Sequence, residues 1–323
     1  MDTRKLPVTR KRSISVEHVF ERMSGAIELE VLAGFQGMNR PVMISDVNRP
    51  GLALSGYVDY FANDRIQILG NTEVHYMERL RVSTLQSRLE GMFSFEIPAF
   101  LLSRKLEPCN LLLDMCNRQG IPVLRSSKST DEVISQVILF LAAEFAPQTT
   151  IHATALDCYG VGVLLVGPPG IGKSETALEL VERGHRLLSD DVVSLRRGRE
   201  DSLLAETNPI IEHHMEIRGV GIIDIRSVFG VGRVLNSMQV RLIIELEEWQ
   251  ESKQYDRTGL TETYADILGV RIPHLVIPVG AGRNIAIIVE VAALNHRLKE
   301  LGEHPALRFN ERLMTLMNEG NRG

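Results

Sequence analysis

Residues 167–174 read GPPGIGKS, which fits G-x-x-x-x-G-K-[ST] with Gly167, Gly172, Lys173 and Ser174 at the defining positions. This pattern constrains the fold, because it functions only as the turn between a strand and a helix. The flanks meet that condition: VGVLLV before it is an apolar strand, and SETALELVERG after it is an amphipathic helix stopped at Gly184. Each residue type has a physical reason. Glycines let backbone N–H groups converge on phosphate oxygens, and a helix N-terminus favours negative charge. The ammonium of Lys173 neutralises β- and γ-phosphates, and the hydroxyl of Ser174 suits magnesium. Gly167, Pro168, Pro169, Gly170, Ile171, Gly172, Lys173 and Ser174 are therefore the expected nucleotide-binding stretch, and the chain around them is α/β.

The same loop occurs in ring-forming motor ATPases, which carry an apolar strand ending in Asp-Glu much farther along the chain. Here VRLIIELEEW has Glu245, Glu247 and Glu248 but no such pair. The acids that qualify are Asp190 and Asp191, one helix beyond the loop. RLLSDDVVSL reads as a strand, and a parallel strand beside the loop's own strand would deliver both carboxylates to the phosphate site. One is suited to hold a metal and the other to take a proton from an attacking hydroxyl; the alternative is a pair of turn formers at a strand edge. In MEIRGVGIIDI, Glu216 offers an oxygen ligand, Arg218 a phosphate fork, and Gly219 and Gly221 a close backbone approach. By themselves His152 reads as a structural histidine and Arg257 as a surface charge. PVGAGR, from Pro278 to Arg283, reads equally as a glycine-rich turn or as a mobile loop carrying an arginine.

With 323 residues the chain is long enough for about two domains at roughly 100–200 residues each. The helix capped by Ser129 or Thr130 and ending near Phe145 places their boundary close to residue 140, giving an N-terminal α/β domain over 1–139 and a catalytic domain over 140–323. A net charge of -5 and an aromatic share of 5% exclude a nucleic-acid partner. VISQVILFLAAEFA is too short and too polar to span a membrane. Cys109, Cys116 and Cys158 lack metal spacing and read as free thiols in a reducing compartment. The leader MDTRKLPVTRKR is basic without an apolar stretch after it, which reads as a solvated tail on a cytoplasmic protein.

Taken together, His152 in IHATALDCYGVGVLLVG, the loop running on to GKSETALELVERGH, LLSDD, MEIRGVGIIDI, YDRTGL and ILGVRIPHLVIPVGAGRN resemble the bacterial HPr kinase/phosphorylase family. GNTEVHYM and GIPVLRS look like its N-terminal domain. The resemblance implies a bifunctional enzyme that phosphorylates a serine of the phosphocarrier HPr with ATP or pyrophosphate and removes it by phosphorolysis with inorganic phosphate. It implies a P-loop kinase domain like that of phosphoenolpyruvate carboxykinase and an N-terminal domain related to a substrate domain of cell-wall ligases. It also implies magnesium, a homohexamer, and roles by position. Lys173 binds phosphate, Ser174 and Glu216 coordinate the metal, and Asp190 supports it. Asp191 is base in one direction and acid in the other, and His152 and Arg257 complete the catalytic set. Met215, Glu216, Ile217, Arg218, Gly219, Val220, Gly221, Ile222, Ile223 and Asp224 form the signature region. Pro278, Val279, Gly280, Ala281, Gly282 and Arg283 form the dephosphorylation loop.

Two residues depart from the family pattern: Pro169 replaces a serine, and Gly280 stands where a basic residue is common. A small-molecule kinase on the same scaffold, or a nucleotide sensor without catalysis, are the competing readings of the residues. Proline removes one backbone donor from the loop. Pro169→Ser is therefore expected to tighten ATP or phosphate binding by about one neutral hydrogen bond, ~1 kcal/mol, measured by calorimetric titration; unchanged or weaker binding of both would show that the loop already compensates.

Overall fold

The computed structural model describes residues 6–207, 212–256, 258–280 and 282–320. The chain divides into two compact units, residues 10–146 in one and the described residues up to Thr9 and from Pro147 onward in the other.

The first unit runs β1 (Ile14–Ser15), α1 (Val16–Ile27), β2 (Leu29–Ala33), β3 (Pro41–Val42), β4 (Val47–Asn48), α2 (Gly51–Ser55), β5 (Ile66–Leu69), α3 (Asn71–Arg79), α4 (Val82–Phe93), β6 (Phe100–Leu102), α5 (Asn110–Gln119), β7 (Val123–Ser126) and α6 (Thr130–Glu144). Its main sheet has the order β2-β7-β6-β5-β4 and is parallel except where β2 meets β7. Alternate residues of the central strands feed two cores: Leu69, Leu102 and Val123 pack under α2 to α5, while Ile68, Leu101 and Leu124 pack with α1 and α6. Sequence signals mark the ends well. Gly120 closes α5 in the left-handed conformation, and Ser129 caps α6 by accepting from the N–H of Glu132. α6 passes residue 140 and ends at Glu144.

The second unit contains β8 (Gln148–His152), β9 (Thr154–Cys158), β10 (Val161–Val166), α7 (Lys173–Glu182), β11 (Arg186–Ser189), β12 (Val192–Arg197), β13 (Leu203–Glu206), β14 (His214–Ile217), β15 (Gly221–Asp224), α8 (Ile225–Phe229), β16 (Ser237–Glu248), β17 (Thr263–Ile267), β18 (Val270–Val279), α9 (Ile285–Glu300) and α10 (Pro305–Gly320). Its large sheet follows β11-β9-β10-β16-β13-β12-β8, with β18 beside the second half of β16 and β17 beside β18. β10 is buried along its whole length, as a continuous apolar run should be when both faces are covered. α7 buries Thr176, Ala177, Leu180 and Val181, and α9 buries Ala286, Val289 and Ala293, into one core with Leu156, Val163, Leu165 and Leu246.

IHATALDCYGVGVLLVG makes three strands, because the chain breaks at Ala153 before the tight β9–β10 turn at Tyr159 and Gly160. Three expectations need correction. RLLSDDVVSL is not one strand: β11 and β12 are separated by Asp190 and Asp191. β11 is also not the neighbour of β10. It pairs with β9, which lies between them, so the acids arrive from two strands away. The leader is not merely solvated either. Thr9 and Gln148 exchange backbone hydrogen bonds of 2.8 and 2.9 Å, and Leu6 packs against the core of this unit.

The strand that feeds the glycine loop is held against β16 at a bulge beside Gly162. A β-carbon there would lie 2.0 Å from the carbonyl oxygen of Gln239. Gly162→Ala is therefore expected to destabilise the protein by ~1–3 kcal/mol through overpacking, read as a lower urea midpoint at unchanged slope.

Candidate active site

The glycine loop turns through left-handed Gly170 (φ 82°) and Gly172 (φ 99°) into the first turn of α7. The ammonium of Lys173 folds back over this turn and donates to the carbonyls of Gly167 and Pro168, at 3.1 and 3.2 Å. Its charge is thus parked over the loop rather than on a carboxylate. One residue on, the hydroxyl of Ser174 lines the same cavity as Asp190 and favours its ionised form.

Asp190 is 7% exposed, and its Oδ1 also accepts from the Thr154 hydroxyl at 2.6 Å. Among the described residues no cationic side chain forms a salt bridge with it. Burial raises its pKa above the usual carboxylate value; the bonds from Thr154 and Ser174 oppose that shift, and the neighbouring Asp191 adds to it. Asp191 differs in every respect. It is exposed and sits at φ 73°, the centre of a three-residue turn in which the N–H of Val192 donates to the Asp190 carbonyl at 2.9 Å. A turn of this hand is rare and strained. It is held by the ladder on either side: Ser189 lies opposite Ala155, Val192 opposite His152, and the N–H of Ala153 donates to the Asp191 carbonyl at 3.2 Å. His152 therefore flanks the Asp191 turn through the backbone.

The β14–β15 hairpin supplies the opposite wall. Met215 is buried in the core and anchors it, leaving His214 and Glu216 on the other face. Arg218 at its tip bends back over the loop, its guanidinium nitrogens 3.6 Å from where a β-carbon on Gly170 would be. A cavity of about 320 Å³ results, lined by Pro169, Gly170, Gly172, Lys173 and Ser174 on the loop side, by Asp190 and Asp191, and by Glu216, Arg218 and Ile222 on the hairpin. Glu175 and His214 also line it. Sequence reasoning missed both, although Glu175 directly follows Ser174 and His214 shares a strand face with Glu216.

Other expected residues lie elsewhere. Val220 is exposed, and Asp224 is committed to capping α8, where it accepts from the N–H of Arg226 and the Ser227 hydroxyl. The side chain of Arg283 donates to the Pro278 carbonyl at 2.8 Å, and none of the described residues from Pro278 to Arg283 lines the cavity. Arg257 and Ala281 lie outside the described residues. Cys116 is buried, and burial pushes its thiol up to about 12, which rules it out as a nucleophile near neutral pH.

No cluster of three or more His, Cys, Asp or Glu side chains suited to a metal occurs among the described residues. Magnesium does not require one, since it keeps waters and takes one or two carboxylates with substrate phosphates. A buried Asp190 that forms no salt bridge with a described cationic side chain fits that donor set, and Ser174 and Glu216 share its cavity.

A phosphate loop with its lysine folded over the turn, facing a buried and an exposed aspartate across one cavity, defines a phosphotransferase of the P-loop type. Comparison with known proteins narrows the class. Residues 14–141 match the description "HPr Serine kinase N terminus" and residues 143–313 match "HPr Serine kinase C-terminal domain". The chain is 44% identical over 308 residues to the HPr kinase/phosphorylase of Alkaliphilus metalliredigens, covering 95% of this chain and 98% of that protein. It is 44% identical over 291 residues to that of Bacillus pumilus, covering 90% and 94%. A solved structure, the Hpr(Ser) kinase/phosphatase from Coxiella burnetii, aligns at 34% identity with a TM-score of 0.44, over 47% of this chain and 98% of that one. The chain belongs to the HPr serine kinase family and is an enzyme of the kinase/phosphorylase type.

The raised pKa of Asp190 gives a signed pH effect. In the window between its ordinary and its folded pKa the native state holds a proton that the unfolded chain has released, so stability falls as pH rises through it. Asp190→Asn removes that loss. Without added metal the variant is expected to gain thermal stability over the parent at pH 7.5 and to match it near pH 3.5, read by thermal denaturation at the two pH values.

Proposed function

We propose that this enzyme transfers a phosphoryl group from ATP, or from pyrophosphate, to a serine of HPr, and removes it by phosphorolysis with inorganic phosphate. The reading is carried by one observation: a buried carboxyl and an exposed, strained carboxyl next to it face the same cavity as Lys173 and Ser174. In the forward direction Asp191 takes the proton of the serine hydroxyl as its oxygen bonds to the γ-phosphorus. The bond to the bridging oxygen breaks, and ADP leaves with the electron pair. Lys173 and Arg218 take up charge on the transferred group. In phosphorolysis an oxygen of inorganic phosphate attacks the phosphoserine phosphorus, the bond to the serine oxygen breaks, Asp191 returns the proton, and pyrophosphate leaves. That is the pyrophosphate-driven reaction run backwards, through the same transition state.

Ser174, Asp190 and Glu216 would hold magnesium, which when bound offsets the charge of the nucleotide phosphates. His152 beside the Asp191 turn and Arg257 complete the set, with Arg283 of the Pro278–Arg283 loop acting toward inorganic phosphate. The chemistry belongs to residues beyond about 140, on a scaffold like that of phosphoenolpyruvate carboxykinase. The α/β region over 1–139 is related to a cell-wall-ligase substrate domain. The working form is a cytoplasmic homohexamer; among the described residues no helix is long and apolar enough to cross a membrane.

Labelled ATP, HPr and a magnesium titration test the assignment. Asp191→Asn should slow transfer by the ~10²–10⁴-fold typical of acid–base catalysis while ATP still binds. Asp190→Asn should mainly raise the magnesium requirement. Rescue of Asp191→Asn by excess magnesium, and not of Asp190→Asn, would show the two roles to be exchanged.

A further inference from the structure

The loop from Pro278 to Arg283 hangs between two fixed points. Its entry is the end of β18, which lies parallel to β16 and whose Val279 carbonyl accepts from the N–H of Trp249 at 3.1 Å. Its exit is Asn284, and that side chain has two partners. Asn284 Oδ1 accepts from the N–H of Ile287 at 2.9 Å, capping α9, while Nδ2 donates to Glu179 Oε1 at 2.8 Å. Glu179 lies on α7, the helix that begins at the phosphate loop. Deeper in the same helix pair, Glu290 of α9 accepts from Arg183 at 2.9 Å and pairs with His185 at 2.9 Å, both just past the end of α7. α9 is thus tied to the chain leaving α7 through Glu290, and Asn284 adds a second tie at the residue next to Arg283.

We propose that Asn284 is a positioning residue. Through Glu179 it fixes the exit of the 278–283 loop to the phosphate-loop helix, and so sets where Arg283 stands when inorganic phosphate or pyrophosphate is the substrate. This deepens the reading of Arg283 given above and rests on it. In the resting arrangement Arg283 is turned inward: its guanidinium holds the Pro278 carbonyl, and its N–H donates to the Gly280 carbonyl at 3.3 Å. Reaching a phosphate requires exchanging the first bond for the ligand, and the reach from a fixed exit is defined only if the exit does not drift.

The amide of Asn284 makes the idea separable from helix capping. Asn284→Asp keeps an equally good cap at the start of α9, but sets a carboxylate against Glu179, so the tie becomes a repulsion. Glu179→Gln alone leaves an acceptor for Asn284. Combined with Asn284→Asp it supplies an amide donor, restoring the bond with its polarity reversed.

The assay uses the full-length enzyme with HPr, phosphoserine-HPr, ATP, pyrophosphate and inorganic phosphate. Asn284→Asp should lower kcat/KM for phosphorolysis by about tenfold, ~1.4 kcal/mol, and lower pyrophosphate-driven phosphorylation by the same factor, because these are one reaction in two directions. ATP-driven phosphorylation should stay within about twofold. Glu179→Gln should resemble the parent, and the double variant should recover most of the loss, which a structural defect would not do. Equal losses in all three reactions, or a loss that Glu179→Gln fails to rescue in a protein of parental Tm, overturn the proposal. Arg283→Ala keeps the two ideas apart. If it leaves phosphorolysis intact, the reading of Arg283 fails; if it abolishes phosphorolysis while Asn284→Asp matches the parent, the reading stands and the tie does not.

Discussion

Asp190 sits where the β11–β12 stretch breaks, almost wholly out of water; its carboxyl accepts from the hydroxyl of Thr154 on β9 and shares a cavity with the hydroxyl of Ser174 in the first turn of α7. Each of those partners belongs to an element with its own reasons for being where it is. β9 lies against β10 through five paired residues, and α7 is pressed into the core by Ala177, Leu180 and Val181. The carboxyl is therefore the point at which the strand carrying the acids, the strand between, and the helix of the glycine loop are brought into one register. Removing the Thr154 hydroxyl would leave a buried carboxyl short of a partner, a loss on the order of 1–3 kcal/mol. The arrangement is also electrostatically incomplete. Burial shifts the carboxyl toward its protonated form and a bound cation would shift it back, so affinity for a metal and ionisation of Asp190 would be coupled.

The strain at Asp191 follows from the same ladder. β9 with β11 and β8 with β12 are two lengths of a pairing that stays in phase across the gap, since Ala155 faces Ser189 and His152 faces Val192. Two residues must cross that gap while one turns inward to the hydroxyls and the other outward to the cavity. Ordinary extended backbone would put their side chains on opposite faces of the sheet, and only one would reach the site. A left-handed Asp191 solves this at a cost of roughly 1–3 kcal/mol, and the pairs on either side hold it there. Aspartate tolerates that conformation better than most residues, so the residue type serves the backbone as well as the chemistry.

What the sequence made legible follows from the range of the interactions. GPPGIGKS, the cap at Ser129 and the stop at Gly120 are local: a few consecutive residues determine them, and their elements stand where the motifs put them. The acids were legible as a pair but not as geometry. Nothing local says that β9 will insert between β11 and β10, because strand order depends on a hairpin at Tyr159–Gly160 folding back onto β10. Nor does local sequence show that Asp190 and Asp191 interrupt a strand, since LLSDDVVSL has the apolar content of a continuous one. Thr154 was not singled out because its significance is a cross-strand distance, and Glu175 and His214 for the same reason. The leader was misread through its charge: five basic residues dominate the composition, while the contact is made by Leu6 and the backbone of Thr9.

Under the proposed roles, the contrast in solvent exposure between the two aspartates would let one cavity serve a protein substrate. A base must meet a hydroxyl carried by a folded partner, whose backbone cannot enter a space of about 320 Å³, so the base has to stand at the rim. Asp191 is exposed, and Ile222 of the hairpin lines the same cavity with 76% of its surface exposed. A metal ligand has the opposite requirement, because its field is strongest where water is excluded. Placing consecutive residues in opposite environments would meet both needs with a single turn, whereas two separate elements would each have to be positioned independently. Under the proposed mechanism the turn, more than either carboxylate alone, is then the unit to be preserved.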